Sequence, residues 1–379
     1  MKGLVSFFPD PKEYPAGRLF SLDLLRGLDM FYLVVLLPVI YPLFPALGVP
    51  QGVTDFLCIH PWEGFAFIDI VMPLFMFMCG AAVPFALGRR MTNGRPSPGY
   101  WRHVGVRFAL LWILGMLIQG NLAELNLHTI SPYSNTLQTI AVGYVVAAVL
   151  FPVRSWMVKV GVPVALTVAY GLIVHFGGDY TQTGNVTVPV ELAILRAILP
   201  ADNSMTAVIT KWGYTWFLPS LIFPVLALAG CQATEILRSR LGEWGKAVAL
   251  LAFGSGSLLA GWLLSLAGVK VVKHIFSVSF TLEAIGWCVL ALAALYVLTD
   301  IWRLRRGRGV FLLFGQHALA AYVLRDLFND ALVAISNRIF VGCRQFFPAA
   351  CGDAVIAAGS SLVLIFLLAL WRRYKLKNG

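Results

Sequence analysis

Charged residues are scarce in this chain, and their scarcity excludes an ordinary water-soluble globular domain. Asp, Glu, Lys and Arg make up 12% of the 379 residues, whereas 59% of the residues are hydrophobic. A soluble domain usually carries about 25% charged residues. Apolar stretches of about 20 residues, long enough to cross a hydrocarbon core about 30 Å thick, recur from one end of the chain to the other. The sequence therefore predicts a protein whose main solvent is a lipid bilayer.

Cysteine is scarce as well, and six residues are too few for a disulfide scaffold. Cys79, Cys231 and Cys288 lie within apolar runs, where a thiol acts as a small hydrophobic group. Cys343 and Cys351 lie outside these runs, and the sequence leaves open whether they pair. The chain also lacks an HExxH motif and paired Cys/His spacings, so the sequence predicts no metal site.

Alternating barrel strands are absent, so the apolar segments are predicted to be helices that satisfy their own backbone hydrogen bonds. We expect an all-α, polytopic integral membrane protein with about ten transmembrane helices in a single membrane domain that covers 1–379. The predicted spans are 18–42, 66–88, 101–122, 134–152, 156–177, 213–236, 245–268, 278–300, 309–328 and 353–371.

The longest stretch between predicted spans is the external segment 178–212. It contains the apolar run VELAILRAIL, which at about ten residues is too short to cross a bilayer. The run is therefore predicted to form an interfacial or re-entrant helix.

The net charge of +11 could suggest a nucleic-acid partner, but the positions of the charges argue against one. When the loops are assigned alternately to the two sides of the membrane, one side collects about 20 of the 29 basic residues. Cytoplasmic loops carry an excess of Lys and Arg, so that side is predicted to be cytoplasmic. With an even number of spans, both termini are predicted to be cytoplasmic, and the expected partner of the basic residues is the lipid bilayer.

The first predicted span carries three charged residues within its apolar run. Asp23, Arg26 and Asp29 follow one another at intervals of three, so they share one face of a helix. Charges within a span are costly and require a partner. Two interpretations stay open, namely an internal ion-pair cluster and a site for an anionic ligand.

A second polar group lies at the external entrance to the second span, in HPWEGFAFIDIVMPLFMFMCG. His60 offers an imidazole, the usual general base near neutral pH. A carboxylate on its other ring nitrogen, from Glu63 or Asp69, would orient it for removing a proton from an amine or hydroxyl. A histidine in a loop can equally be a solvated or capping residue, so the residues alone leave both interpretations open.

Four segments of the chain, taken together, resemble one known family. The first is 18–30 (RLFSLDLLRGLDM), the second is 60–80 and the third is 134–144 (SNTLQTIAVGY). The fourth is 273–300, followed by 315–322 (GQHALAAY). In order and content these segments resemble the transmembrane acyltransferases typified by heparan-α-glucosaminide N-acetyltransferase, and in particular their bacterial homologues.

The resemblance implies an enzyme of the bacterial inner (cytoplasmic) membrane that transfers an acetyl or similar acyl group. The donor would be acetyl-CoA or another acyl-CoA on the cytoplasmic side, and the acceptor an amine or hydroxyl of an external amino sugar or glycan. His60 occupies the position of the family's active-site histidine. The predicted site residues are His60, Glu63 and Asp69 for proton removal, Asn121 and Lys273 for the developing oxyanion, and Arg18, Arg26, Asp29 and Arg107 for binding the donor.

The chain departs from the family pattern at several positions, which puts the acceptor and the donor in question. Leu37, Thr139, Phe276 and His317 stand where the family has other residues. The sequence does not decide between direct transfer and a covalent acyl-histidine intermediate. It also leaves open whether the chain forms a homo-oligomer.

A second hypothesis from a different class is a multipass transporter or flippase for a sugar or a lipid-linked substrate. In that case Asp23, Arg26, Asp29 and Glu283 would line the substrate path. A transferase should bind CoA and turn over acyl-CoA in detergent, whereas a transporter should need a gradient or a lipid carrier.

Overall fold

The structure is a computed structural model that describes residue 9 and residues 19–305, 308–346 and 348–378. The described part is built from helices, with one short β-hairpin between strands β1 and β2. The α-helices are α1 (Phe20–Phe31), α2 (Leu37–Ala46), α3 (Gln51–Cys58), α4 (Val71–Ala86), α5 (Pro98–Gln119), α6 (Thr136–Leu150), α7 (Trp156–Gly177), α8 (Thr187–Ile198), α9 (Ser204–Trp212), α10 (Phe223–Arg238), α11 (Glu243–Leu266), α12 (Val278–Tyr296), α13 (Gly309–Gln316), α14 (Ala318–Leu327), α15 (Asn329–Phe340), α16 (Cys343–Phe346) and α17 (Ala349–Asn378).

Shorter elements join or extend these helices. The hairpin pairs β1 (Met91–Thr92) with β2 (Arg95–Pro96) in antiparallel register. Two π-helical turns lie at Tyr32–Leu36 and Val297–Ile301, and 3₁₀ turns lie at Phe67–Ile70, Gly88–Arg90, Leu122–Glu124 and Leu218–Leu221.

Eight helices in the described ranges are long and apolar enough to cross a membrane. They are Phe20–Ala46, Phe67–Arg90, Pro98–Gln119, Trp156–Gly177, Leu218–Arg238, Glu243–Leu266, Val278–Ile301 and Ala349–Lys375. The chain is thus an all-helical, multi-pass membrane protein, as the composition predicted. The number of spans and the cytoplasmic orientation of the termini stay predictions.

Two of the ten predicted spans differ from simple membrane-crossing helices. The predicted span 134–152 is the 15-residue helix α6, which is shorter than the usual crossing length. The predicted span 309–328 is a pair of helices, α13 and α14, that meet at His317 with a bend of 80°. If that pair counts as one broken span, the described residues hold up to nine.

The described residues of Met1–His60, Ala66–Val71 and Ala291–Gly379 form one compact unit, here called unit 1. Its helices α1 and α13 approach so closely that glycines face backbone across the contact. A Cβ on Gly27 would lie 1.8 Å from Phe311 O, and a Cβ on Gly315 would lie 1.9 Å from Asp23 O. Small residues permit this kind of backbone approach in membranes.

Pro61–Phe65 and Met72–Leu290 form the second compact unit, unit 2. Helices α4 and α10 approach closely in this unit, where a Cβ on Gly80 would lie 1.8 Å from Ala227 O and a Cβ on Gly230 would lie 1.9 Å from Phe77 O. Thr234 Oγ1 also donates to Ala81 O at 2.9 Å, so a buried hydroxyl reinforces the same contact.

The segment of unit 2 between α7 and α10 contains α8 and α9, which enclose a small core of Leu195, Met205 and Ile209. Glu191 of α8 is fully buried, and its Oε2 accepts a hydrogen bond from Phe217 N at 2.8 Å. Its Oε1 is buried and has no hydrogen-bond partner in the described part of the chain. Burial raises the pKa of this carboxyl from the ordinary 4.5 to about 7, against the opposing effect of backbone N–H donors.

The raised pKa of Glu191 makes the stability of unit 2 fall as pH rises. Between pH 4.5 and about 7, Glu191 keeps its proton in the folded state and has released it in the unfolded state. The stabilisation of the folded state that is fully present below pH 4.5 is therefore lost as the pH rises through the pKa of the folded state. The shift corresponds to about 3 kcal/mol. Two titratable side chains, Tyr133 and Tyr170, face Glu191. Both stay neutral over this range, because phenols ionise near pH 10 and burial raises the pKa of Tyr133 further.

The thermal midpoint of the wild type should fall between pH 5 and pH 8. We therefore expect this fall to be smaller by several degrees in the Glu191→Gln variant. Glu124→Gln is the matched control, because Glu124 is an exposed carboxylate of the same unit and its removal should leave the slope unchanged. Equal slopes in the wild type and the Glu191→Gln variant would contradict the burial argument.

Candidate active site

The candidate active site of unit 1 is a histidine–aspartate pair between α3 and the 3₁₀ turn Phe67–Ile70. His60 Nδ1 lies 2.6 Å from Asp69 Oδ1. The side chain of His60 is 39% exposed, whereas that of Asp69 is fully buried. A buried acceptor therefore holds one edge of the ring while the rest of the imidazole reaches the surface.

Local helix geometry explains why Asp69 is available for this contact. Asp69 is the third residue of the 3₁₀ turn, and its Oδ2 accepts a hydrogen bond from Ala66 N at 2.8 Å. An acidic side chain at this place satisfies an N–H at the start of the turn that has no partner within the helix. With Oδ2 held by Ala66 N, Oδ1 is directed to His60.

The hydrogen bond from His60 to Asp69 selects the tautomer of the ring. A carboxylate only accepts, so Nδ1 carries the proton, and the lone pair of the neutral imidazole is on Nε2. Such an imidazole can remove a proton from an amine or hydroxyl, and the carboxylate stabilises the imidazolium that forms.

Tyr32 supports the same loop from the first span and was not anticipated from the sequence. Its hydroxyl donates to Leu57 O, and its ring packs edge-on against Phe67 at 5.1 Å. These contacts join the π-helical turn to both flanks of the His60 loop. No periodicity in the sequence marks this role, because a π-turn shifts side-chain directions relative to a regular helix.

The other predicted catalytic residues lie in unit 2. Glu63 Oε2 accepts from Lys270 Nζ at 2.8 Å, and both side chains are about half exposed. Of the two carboxylates that the sequence offered as partners of His60, Asp69 is therefore the one that contacts the ring. Lys273 is buried, at 4% exposure, in the turn before α12. Asn121 is exposed, adopts φ 51°, and donates to Thr129 O at 3.0 Å.

The residues predicted to bind the donor are distributed over both units. Arg18 lies outside the described residues. In unit 1, Arg26 Nη1 lies 3.8 Å from Asp23 Oδ1 and 3.5 Å from Gly315 O. Asp29 is buried, and its Oδ2 has no hydrogen-bond partner within the described ranges. Arg107 is in α5 of unit 2 and has no carboxylate within ion-pairing distance among the described residues.

No group of three or more His, Cys, Asp or Glu side chains that could hold a metal ion is found in the part of the chain that the structure describes. Cys343 and Cys351 are not joined in a disulfide.

Comparisons with known proteins do not place the chain in a family. No protein-family model matches the chain, and no curated protein matches it.

Proposed function

We propose that the chain is a membrane acyltransferase that moves an acetyl or similar acyl group from a cytoplasmic acyl-CoA to an amine or hydroxyl of an external sugar. The observation that carries the proposal is the pair formed by His60 Nδ1 and Asp69 Oδ1 at 2.6 Å, with an exposed imidazole on a buried carboxylate. A positioned imidazole is what proton removal from an incoming acceptor requires. The sequence resemblance supports the same class, and the bacterial inner membrane is its proposed location.

In the proposed reaction His60 Nε2 takes the proton of the acceptor as the acceptor nitrogen or oxygen attacks the thioester carbonyl carbon. The carbon–sulfur bond then breaks, and the imidazolium returns the proton to the leaving thiolate. The products are the acylated acceptor and the CoA thiol. Lys273 and Asn121 stay the residues that the sequence predicts as donors to the developing oxyanion, since a cation or an amide there stabilises the charge of the transition state.

The fit of an acyl-CoA to this chain rests on basic residues within predicted spans. Arg107 has no carboxylate partner among the described residues, so its guanidinium suits a phosphate. Arg26 Nη1 lies 3.8 Å from Asp23 Oδ1, so Arg26 is the weaker candidate for an anionic ligand.

A transport function is the second candidate, and the 80° break between α13 and α14 favours it. Discontinuous helices form the substrate sites of many transporters. The buried Oδ2 of Asp29 suits such a path as well, because an unpartnered carboxylate oxygen can bind a cation or a polar substrate.

An assay of acetyl-CoA turnover in the absence of a membrane gradient distinguishes the two functions. The protein, purified in neutral detergent, is incubated with acetyl-CoA labelled in the acetyl group and a set of amino sugars. An acyltransferase should release CoA thiol and acetylate an acceptor in a 1:1 ratio. If acetyl-CoA is neither consumed nor bound, while a sugar or lipid-linked sugar crosses reconstituted membranes, the transporter interpretation replaces this proposal.

A further inference from the structure

The stretch between the second and third spans is basic and has nothing within it to neutralise the charge. No Asp or Glu occurs between Asp69 and Glu124, whereas the same stretch carries Arg89, Arg90, Arg95, Arg102 and Arg107. Most of these arginines lie in the turn and hairpin after α4 or in the first turns of α5. An excess of this kind at one end of unit 2 is the ordinary signal for a cytoplasmic loop.

Arg107 does not fit that ordinary explanation, because it lies within a span and on its inward face. It is nine residues after Pro98, the first residue of α5, which is about 13 Å along a helix that rises 1.5 Å per residue. The buried residues of α5 include Tyr100, Val104 and Leu111, and Arg107 shares their face and is itself half-buried.

The contacts of Arg107 leave its charge uncompensated. Its guanidinium carbon lies 4.4 Å from the centroid of the Tyr144 ring, and its Nη2 lies 3.5 Å from Cys79 Sγ. No carboxylate comes within ion-pairing distance of it among the described residues. The Tyr144 hydroxyl is fully buried and has no hydrogen-bond partner of ordinary geometry in those ranges.

Two further basic groups lie near this guanidinium. Arg90 Nη1 donates to Ala86 O at 2.6 Å, which fixes its side chain over the end of α4. His103 precedes Arg107 by one helical turn and is within electrostatic range of both arginines. Tyr144 is also within electrostatic range of both. Arg107 of α5 thus lies against Tyr144 of α6, and His103 of α5 and Arg90 of the 3₁₀ turn Gly88–Arg90 are close enough to interact with them electrostatically. No carboxylate of the described residues lies within ion-pairing distance of the two arginines.

We propose that Arg90, His103, Arg107 and Tyr144 form a binding site for a phosphate group. A guanidinium matches phosphate oxygens with two parallel N–H donors, and a buried phenol adds an O–H donor. A charge held within a span is costly without a counter-ion, so a bound anion accounts for keeping arginine at this depth. The phosphate can come from an anionic lipid headgroup or from a soluble phosphate ester. In the second case the inference rests on the proposed function, in which Arg107 holds a phosphate of the acyl-CoA, but the site does not depend on the chemistry at His60.

The experiment measures binding of two probes to the full chain, purified in neutral detergent and stripped of lipid. Inorganic pyrophosphate represents soluble esters, and phosphatidylglycerol represents headgroups, with diacylglycerol as the phosphate-free lipid control. At least one probe should bind the wild type. Arg107→Gln should weaken that binding about 10-fold or more, as expected for the loss of a charge-assisted hydrogen bond.

Arg102→Gln is the matched control, because Arg102 is an exposed arginine of the same helix. It should keep the wild-type affinity. If the Arg107→Gln variant does not fold, Tyr144→Phe and the double variant of Arg90→Gln with His103→Gln replace it, and each should weaken binding. Binding of pyrophosphate identifies a soluble ester, and binding of phosphatidylglycerol alone identifies a lipid. The proposal is overturned if neither probe binds the wild type, or if Arg102→Gln weakens binding as much as the Arg107 variant does.

Discussion

Replacing His60 by alanine should lower acyl transfer by about 10²- to 10⁴-fold, which is the usual contribution of a positioned general base. The variant should still fold, because the His60 side chain is 39% exposed and its partner Asp69 keeps the hydrogen bond from Ala66 N. The measurement is acetyl transfer per folded molecule, with the thermal midpoint recorded beside it.

The chain contains a matched control for this experiment in His128. Its Nδ1 contacts Asp202 Oδ1 at 2.8 Å, so it too is a histidine–aspartate pair. Both of those side chains are exposed, at 56% and 73%, so solvent screens the pair and no buried carboxylate orients the ring. His128→Ala should leave transfer at the wild-type level. Unchanged turnover in purified His60→Ala would remove the imidazole from the mechanism.

Asp69→Asn should be nearly as damaging as the loss of His60, although it changes one atom. Ala66 N donates to Oδ2, so the amide oxygen of an asparagine would stay on Ala66 N and its NH₂ would face His60 Nδ1. Nδ1 would then have to accept, and Nε2 would carry the proton and lose its basicity. A tautomer change of this kind costs up to about 10⁴-fold in a serine protease triad.

The test of this prediction compares turnover with folding and with a second variant. The Asp69→Asn variant should lose turnover while its affinity for CoA stays at the wild-type value, and Asp202→Asn should change neither. A turnover within a few-fold of the wild type in folded Asp69→Asn would mean that Asp69 only caps the turn Phe67–Ile70.

The helical architecture was predictable because apolar length alone decides whether a segment can cross a bilayer. Two differences between the predicted and the observed helix starts have local causes. Helix α6 begins only at Thr136, because Asn135 caps it through a hydrogen bond from Leu137 N at 2.7 Å. The predicted span 213–236 starts late because Gly213, at φ 65°, ends α9, and a 3₁₀ turn at Leu218–Leu221 precedes α10.

The candidate site was predictable in part. Spacing along the sequence gave His60 two carboxylates, Glu63 and Asp69, and could not choose between them because the choice depends on the 3₁₀ turn. Tyr32 and Glu191 were not identified, since their roles depend on contacts with Leu57 O and Phe217 N, which are distant in sequence. Arg107 was predicted as a donor-binding residue, but its contacts with Tyr144 and Cys79 depend on the packing of helices that are distant in sequence.

The most direct test of the proposed function uses membranes with two separated compartments. The protein is reconstituted into sealed vesicles, the fraction in each orientation is determined, and labelled acetyl-CoA is supplied on the side of the Arg89–Arg90 turn. The acceptor sugar is supplied on the opposite side. A transmembrane acyltransferase predicts labelled acceptor in the compartment that never contained acetyl-CoA, at a rate that His60→Ala reduces by about 10²-fold or more. Acetylation only when donor and acceptor share a compartment, or none in either arrangement, would contradict the account.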